Sequence, residues 1–156
     1  MTIRVIEADI ENAEHGRALV SLIDSYAQEP AGQSAPLTTD AKASIVPGLR
    51  SHPANLILLA AMDDIYAGAA VCFWLFSTFS GKPLLNIHDL VVGPDYQNRG
   101  IGTALLSEIE KRARQSDCCK ITLEVNDTNL GAKRLYERFG FGSWSPSTLS
   151  VAKRLV

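Results

Sequence analysis

Apolar and polar residues alternate along this chain in two different repeats, one typical of strands and one typical of helices. Residues 1–9 alternate as a strand does, and the next segment carries an apolar stripe at helical spacing that starts after Asp9 or Asn12 and ends by Pro30. Three apolar runs then follow at residues 55–62, 66–79 and 84–92, separated by short turn sequences. This pattern predicts a strand, a helix and then an antiparallel meander of three strands.

The segment between Pro30 and Pro53 has a different composition, rich in Pro, Gly, Ser, Thr and Ala. It predicts a loop with one short helix that begins after Thr38 or Thr39 and is interrupted at Pro47-Gly48, because proline removes a helical hydrogen bond. Beyond the meander the pattern predicts helix, strand and helix, and Leu149, Val151 and Leu155 alternate as in a last strand over 148–156, with residues 144–147 leading into it. The order predicts a mixed α/β sheet with helices on both faces.

The run Gln97–Gly102 lies between the strand ending near residue 92 and an amphipathic helix. Two glycines two positions apart let a ligand approach the backbone closely, and the first N–H groups of a helix lack internal partners and attract anions. A Walker loop is excluded because no glycine is followed by Lys and then Ser or Thr. A dinucleotide-binding fingerprint fits poorly, because its third position requires a small residue and this chain has Leu105 there. Glycines needed only for packing remain the alternative.

The segment after this helix makes a ligand site the better interpretation. Residues 120–125 alternate as a short strand, residues 126–129 suit a turn and a helix N-cap, and an apolar stripe at helical spacing follows. Gly140 ends that helix, and Phe141 is placed for the hydrophobic contact of a Schellman motif. The helical stripe consists of Ala132, Leu135, Tyr136 and Phe139.

Residues 92–106, Leu123–Asn126 and the pattern from Asn129 to Phe141 resemble the GNAT superfamily of acyl-coenzyme A-dependent N-acyltransferases. The resemblance spans about residues 84–142 and rests on a [QR]-x-x-G-x-[GA] signature, a strand and an N-x-x-A-x-x-L-Y-x-x-x-G-F signature in the right order. It implies the GNAT fold, an α/β structure with a mostly antiparallel mixed sheet that splays at the fourth strand. It also implies acetyl-coenzyme A as the cosubstrate, without a metal.

The resemblance assigns roles to residues of both signatures. It implies that Leu90 donates its N–H to the thioester oxygen, that Tyr136 is the general acid for the departing thiolate, and that Asn129 contacts the cofactor. From the residues alone, the Leu90 N–H could equally belong to an ordinary ladder, and Tyr136 would more often be a core aromatic. The resemblance further implies that coenzyme A contacts a pantetheine strand and a pyrophosphate loop. The strand is Leu90, Val91 and Val92, and the loop is Gln97, Asn98, Arg99, Gly100, Ile101, Gly102 and Thr103.

His88 stands where many family members have a glutamate that takes the proton from the amine. Imidazole suits this work, because it titrates near neutral pH. A half-buried strand histidine with no such role is an equal alternative. By the strand period of two, Asn86 is expected to share the face of His88, and Asp89 is expected on the opposite face, with a structural role. Glu124 is a weaker candidate for the base.

Composition and charge indicate the number of domains, the classes of partner and the compartment of this protein. The 156 residues fit a single domain over 1–156, and a net charge of −2 gives no basic surface for nucleic acid. The longest uncharged apolar stretch, Ile65–Phe76, is too short to span a membrane, and residues 1–9 lack the apolar core of a secretory signal. Three cysteines, two of them adjacent, suit neither a disulfide framework nor a metal site. These features predict a cytoplasmic protein with reduced thiols.

The function predicted from the sequence is N-acetylation of a primary amine by direct attack in a ternary complex. A small molecule or amino acid is the expected acceptor, because neither a basic surface nor an acidic peptide groove is evident. A protein lysine or N-terminal acetyltransferase is the alternative within the enzyme class, and an acyl-coenzyme A-binding sensor without turnover is the alternative outside it. A terminal strand and an exposed sheet edge could support a homodimer.

Overall fold

The structure is a computed structural model, and it describes residues 1–142 and 149–156. The elements through residue 138 follow the predicted order, with a single turn of 3₁₀ helix at Pro94–Tyr96 before the helix that begins at Ile101. The elements are β1 (Ile3–Glu7), α1 (Ala13–Gln28), α2 (Thr39–Arg50), β2 (Asn55–Met62), β3 (Ile65–Ser77), β4 (Lys82–Val92), α3 (Ile101–Gln115), β5 (Ile121–Leu123) and α4 (Leu130–Arg138).

The five strands form one sheet in the order β1-β2-β3-β4-β5. The first four strands are antiparallel neighbours, as the meander predicts, whereas β5 runs parallel to β4. The parallel ladder extends only from Leu85 opposite Ile121 to Ile87 opposite Leu123, although β4 continues to Val92. The sheet therefore opens into a fork between β4 and β5, which confirms the predicted splay at the fourth strand.

Helices cover both faces of the sheet. On one face Leu19 and Leu22 of α1 pack against alternate strand residues such as Leu59 and Val91, and we call this the α1 face. On the other face Leu105 and Ile109 of α3 pack against the remaining strand residues, with α4 side chains at their edge, and we call this the α3 face. The mixed sheet with helices on both faces is therefore confirmed. No helix in the described part of the chain is long and apolar enough to cross a membrane.

The ends of the helices follow the predicted capping chemistry. The Asn12 side chain accepts from the backbone N–H of Glu14 at 2.9 Å, and the Asn129 side chain accepts from that of Ala132 at 3.2 Å. At the end of α4 the N–H of Phe141 donates to the carbonyl of Tyr136 at 3.0 Å, Gly140 has a φ of +85°, and the rings of Tyr136 and Phe141 lie 5.7 Å apart. These bonds and the ring contact are those of a Schellman motif.

The expected interruption of the second helix at Pro47-Gly48 is wrong, because α2 runs from Thr39 to Arg50 with Pro47 inside it. Pro47 falls in the last part of the helix, where it removes a single backbone donor. The turn after it is closed by other donors, since the Ser51 N–H and hydroxyl both donate to the Pro47 carbonyl at 3.1 Å and the Asn55 side chain donates to that of Leu49 at 3.0 Å.

The expected last strand over 148–156 is also wrong for residues 149–156, which have no strand structure. Their alternating side chains find no buried face, since Leu149, Val151 and Leu155 are each more than four-fifths exposed. A period of two predicts a strand only where a neighbouring edge and a core face are both available. Thr148 and the predicted lead-in at residues 144–147 lie outside the described residues.

Candidate active site

The fork between β4 and β5 leaves backbone groups of β4 without a neighbouring strand. The N–H of Gly93 donates to the Ala67 carbonyl of β3 at 2.7 Å. Because N–H groups point to alternate sides along a strand, the N–H of Val91 also faces β3, and those of Leu90 and Val92 face the fork. The opened edge therefore offers Leu90 and Val92 as donors, while the Val91 side chain is buried on the α1 face.

A cleft of about 70 Å³ lies at this fork and contains residues from both faces of the sheet. Four of the residues singled out in the sequence, Tyr136, His88, Leu90 and Asn129, meet here from β4 and α4. The full lining is Tyr26, Ile87, His88, Asp89, Leu90, Leu123, Glu124, Val125, Asn126, Asn129, Ala132 and Tyr136. A larger open groove of about 450 Å³ between α1 and α2 contains none of the predicted site residues.

Tyr136 is one of the two tyrosines that line this cleft within the described residues. It lies on α4 and packs at the edge of the α3-face core, against Phe141. Burial, with a smaller contribution from the charge of Tyr26, raises the pKa of Tyr136 to about 12. The phenol therefore carries its proton throughout the neutral range, which is the state that a general acid requires.

His88 is an extra residue in the ladder between β3 and β4. Val71 pairs with Asp89 and Cys72 pairs with Ile87, so His88 has no partner and forms a β-bulge. The His88 side chain is exposed, and its ring contacts Phe73 of the α1 face at 5.7 Å between centroids. A bulge changes the direction of the side chains that follow it.

The bulge overturns the expectation that Asp89 points away from His88. Val91 is buried on the α1 face, and Asp89, two residues earlier along a regular strand, lies on the same face. His88 packs on that face as well, so two consecutive side chains share one side of the sheet. A strict period of two could not reveal this, because the extra residue is apparent only from the pairing with β3.

Asp89 and Tyr26 are cleft residues that the sequence pattern did not identify as functional. Burial raises the pKa of Asp89, and the neighbouring His88 lowers it by a smaller amount. The pKa of Tyr26 is raised by burial and then by the negative charges of Asp89 and Glu29. The sequence feature that could have identified Tyr26 is its position at the end of an apolar helical stripe, because a buried Tyr hydroxyl needs a polar partner. Its hydroxyl donates to the Ala31 carbonyl at 3.3 Å.

The predicted pyrophosphate loop forms the start of α3. Gly100 is the N-cap with a φ of +91°, and within the described residues no side chain caps this helix. The first helical N–H with an intrahelical acceptor is that of Ala104, which donates to the Gly100 carbonyl at 3.0 Å. Asn98 also has a positive φ, of 59°, so the backbone curves twice before the helix. A loop of this shape with free N–H groups fits a diphosphate.

Gly102 connects this loop to α4. A Cβ at position 102 would lie 2.8 Å from Cδ2 of Leu135, the residue next to Tyr136. A packing reason for this glycine therefore exists beside the phosphate reason. The two explanations make different predictions for the effect of Gly102→Ala on coenzyme A binding.

Asn129 and Asn126 have local structural roles at the cleft. The Oδ1 atom of Asn129 caps α4, which leaves its amide nitrogen as the group available to a cofactor. The Oδ1 atom of Asn126 accepts from the Thr128 N–H at 3.0 Å and from the Thr128 hydroxyl at 2.7 Å, so this residue forms the turn before α4.

The three cysteines, Cys72, Cys118 and Cys119, are free thiols.

Comparison with known protein families gives one match over most of the chain. Residues 16–141 match the model of the Acetyltransferase (GNAT) family. An uncharacterised N-acetyltransferase of Methanocaldococcus jannaschii is 36% identical over 73 residues, which cover 47% of this chain and 32% of that protein. A thialysine N-epsilon-acetyltransferase of Mus musculus is 29% identical over 77 residues, which cover 49% of this chain and 45% of that protein. The matched region therefore spans less than half the length of these relatives.

The fold has counterparts among solved structures at low sequence identity. An aminoglycoside acetyltransferase from an uncultured soil metagenomic sample, determined in complex with trehalose, superposes with a TM-score of 0.73. The alignment covers 97% of this chain and 97% of that chain at 16% identity. At this identity the likeness establishes the architecture alone.

Proposed function

The chain belongs to the Acetyltransferase (GNAT) family, and from this premise we propose that it transfers an acetyl group from acetyl-coenzyme A to the primary amine of a small molecule. The observation that carries the proposal is the meeting of His88, Tyr136 and the open edge of β4 at Leu90 in one cleft. A proton acceptor, a proton donor and a backbone N–H donor are the groups that amide formation from a thioester needs.

Each group has a separate task. Coenzyme A would supply the acetyl group as an activated thioester, held at the backbone N–H groups that begin α3 and along Leu90 and Val92. The Leu90 N–H donates to the carbonyl oxygen and stabilises the negative charge that develops there. His88 takes the proton that the attacking amine must lose, and Tyr136 gives its proton to the sulfur of the leaving group.

The same arrangement favours direct attack by the amine in a ternary complex. The most buried thiol, Cys72, has its pKa raised by burial to about 12, so it is a poor nucleophile at neutral pH. The pKa of Cys118 is also raised by burial. Neither residue lines the cleft within the described part of the chain. The free thiols are typical of a reducing compartment, and we place the activity in the cytoplasm.

A thiol-release assay with acetyl-coenzyme A tests this function directly. The panel contains alkylamines, diamines, aminoglycosides, amino acids and a lysine peptide, each with a blank that lacks the acceptor. Release that depends on a small amine supports the proposal. Release with the peptide alone would favour a protein acceptor. Binding of acetyl-coenzyme A without release for any member would contradict the proposal and favour a sensor.

A further inference from the structure

The bulge at His88 places a carboxylate inside the cleft, where the sequence pattern expected none. Asp89 is partly buried and lines the cleft with Tyr26 of α1 and Tyr136 of α4. Both phenols have raised pKa values and are neutral near pH 7. Asp89 therefore shares the cleft with two uncharged phenols and one imidazole, and no fixed cation is among these neighbours.

The charges around the whole cleft have one sign. Among the described residues that line it, the acidic groups are Asp89 and Glu124, the only imidazole is that of His88, and no lysine or arginine is present. Glu124 is exposed at the mouth, where water screens it, while Asp89 lies deeper. An electrostatic field of this kind attracts a cation and repels a carboxylate, and the effect is strongest where water is excluded.

We infer that Asp89 is the residue that determines acceptor specificity, by attracting a protonated amine into the cleft and excluding acceptors with a carboxylate next to the reacting nitrogen. This inference rests on the proposed function and narrows its substrate class. The acceptor is a cationic primary amine such as a diamine, an aminoglycoside or the distal amine of a long side chain. The α-amine of an ordinary amino acid is excluded, because its own carboxylate would approach Asp89 and create repulsion between like charges.

Matched acceptors and matched variants separate this role from a structural one. Alaninamide and alanine differ in the charge next to the α-amine. Because that charge also changes the basicity of the amine, the exclusion is measured by the change in the ratio of their kcat/KM values between the wild type and a variant. We expect alaninamide to be preferred by about tenfold or more, the range that a charge-assisted contact provides. Asp89→Asn should reduce that preference by about tenfold or more, whereas Asp89→Glu should retain it. Asp64→Asn removes a carboxylate from the β2–β3 turn, where Asp64 pairs with Arg4, and should leave the preference unchanged.

A binding measurement keeps the inference independent of turnover. The probe is 1,5-diaminopentane, titrated by calorimetry into the complex of the protein with coenzyme A, and thermal melting checks that each variant is folded. Asp89→Asn should weaken binding about tenfold or more relative to both the wild type and Asp64→Asn.

The possible failures are distinguishable. Binding of the diamine that depends on Asp89, without any acetyl transfer, would refute the proposed function and support Asp89 as the residue that attracts the protonated amine. Acetyl transfer to alanine as efficient as transfer to alaninamide would overturn the inference and leave the function intact. Absent binding of the diamine by the wild type, or equal binding by Asp89→Asn, would overturn the inference as well.

Discussion

Gly102→Ala is the substitution that separates the two explanations for the glycine-rich start of α3. The new Cβ would lie 2.8 Å from Cδ2 of Leu135, where ordinary contact begins at 3.4 Å, so the leucine must move by at least about 0.6 Å. The atom in the way is the end of a flexible side chain, so the overpacking cost is at the low end of its range, about 1 kcal/mol. Replacing this glycine by alanine also stabilises the helix by up to about 1 kcal/mol, because alanine has the higher helix propensity.

These opposing terms predict a small change in stability and a large change in binding. The melting temperature should shift by no more than about 4 °C, because about 1 kcal/mol corresponds to 2–4 °C at this chain length. If a diphosphate approaches the N–H groups at residues 101–103, the added methyl group prevents close approach. We expect affinity for coenzyme A to fall about ten- to a hundredfold, the effect of losing one charge-assisted hydrogen bond.

A double-mutant cycle with Leu135→Ala decides between the explanations, with coenzyme A affinity measured by calorimetry and stability by thermal melting. Removing the Leu135 side chain relieves the clash in Gly102→Ala but leaves the methyl group in the phosphate path. Gly102→Ala should therefore cost less stability in the Leu135→Ala background than in the wild type, and the double variant should still bind coenzyme A weakly. Gly131→Ala in α4, where a Cβ meets nothing within 4 Å, is the matched control. Full recovery of affinity in the double variant would refute the phosphate explanation and leave packing as the reason for this glycine.

The remaining predictions concern the cleft and its supports. His88→Ala should lower kcat about a hundredfold and remove the acidic limb of the pH–rate profile. Asp89→Asn should raise the melting temperature at neutral pH. Burial raises the pKa of Asp89, so the stabilising contribution of this residue is present below its unfolded pKa and is lost as the pH rises through its folded pKa. Asparagine does not ionise and avoids that loss. Gly32→Ala should lower stability by about 1–3 kcal/mol in denaturant unfolding, because its Cβ would clash with the Tyr26 carbonyl oxygen, a backbone atom that cannot rotate away.

Each of these predictions has a contrary result. A pH–rate profile for His88→Ala that matches the wild type would remove His88 from the mechanism. A melting temperature for Asp89→Asn that follows pH as the wild type does would show that Asp89 does not have a raised pKa in the folded protein. Stability of Gly32→Ala equal to that of the wild type would mean that the turn after α1 moves freely away from Tyr26.

Local patterns predicted the features that depend on neighbouring residues. The caps at Asn12 and Asn129 and the Schellman end at Gly140 follow from side chains within a few positions of the helix end. The order of elements through α4 follows from hydrophobic periodicity, since each element buries one face. The fork at the fourth strand came from the resemblance to a family, because periodicity alone does not specify which strands separate.

Features that depend on distant residues were not predictable from pattern. The bulge at His88 exists because β4 has one more residue than β3 between their shared pairs, and no glycine marks it. The contact between Gly102 and Leu135 joins two helices that are separated by a strand. In each case the structure is determined by contacts between distant parts of the chain, which local propensity does not specify.

The central claim is that the cleft at the fork of β4 and β5 carries out acetyl transfer with Tyr136 as the proton donor. Its most direct test measures kcat by thiol release and the Kd of acetyl-coenzyme A by calorimetry for the wild type and Tyr136→Phe. The substitution removes only the hydroxyl and keeps the ring that packs on Phe141. We predict a fall in kcat of about a hundredfold or more with a Kd within about twofold of the wild type. An unchanged kcat would contradict the claim.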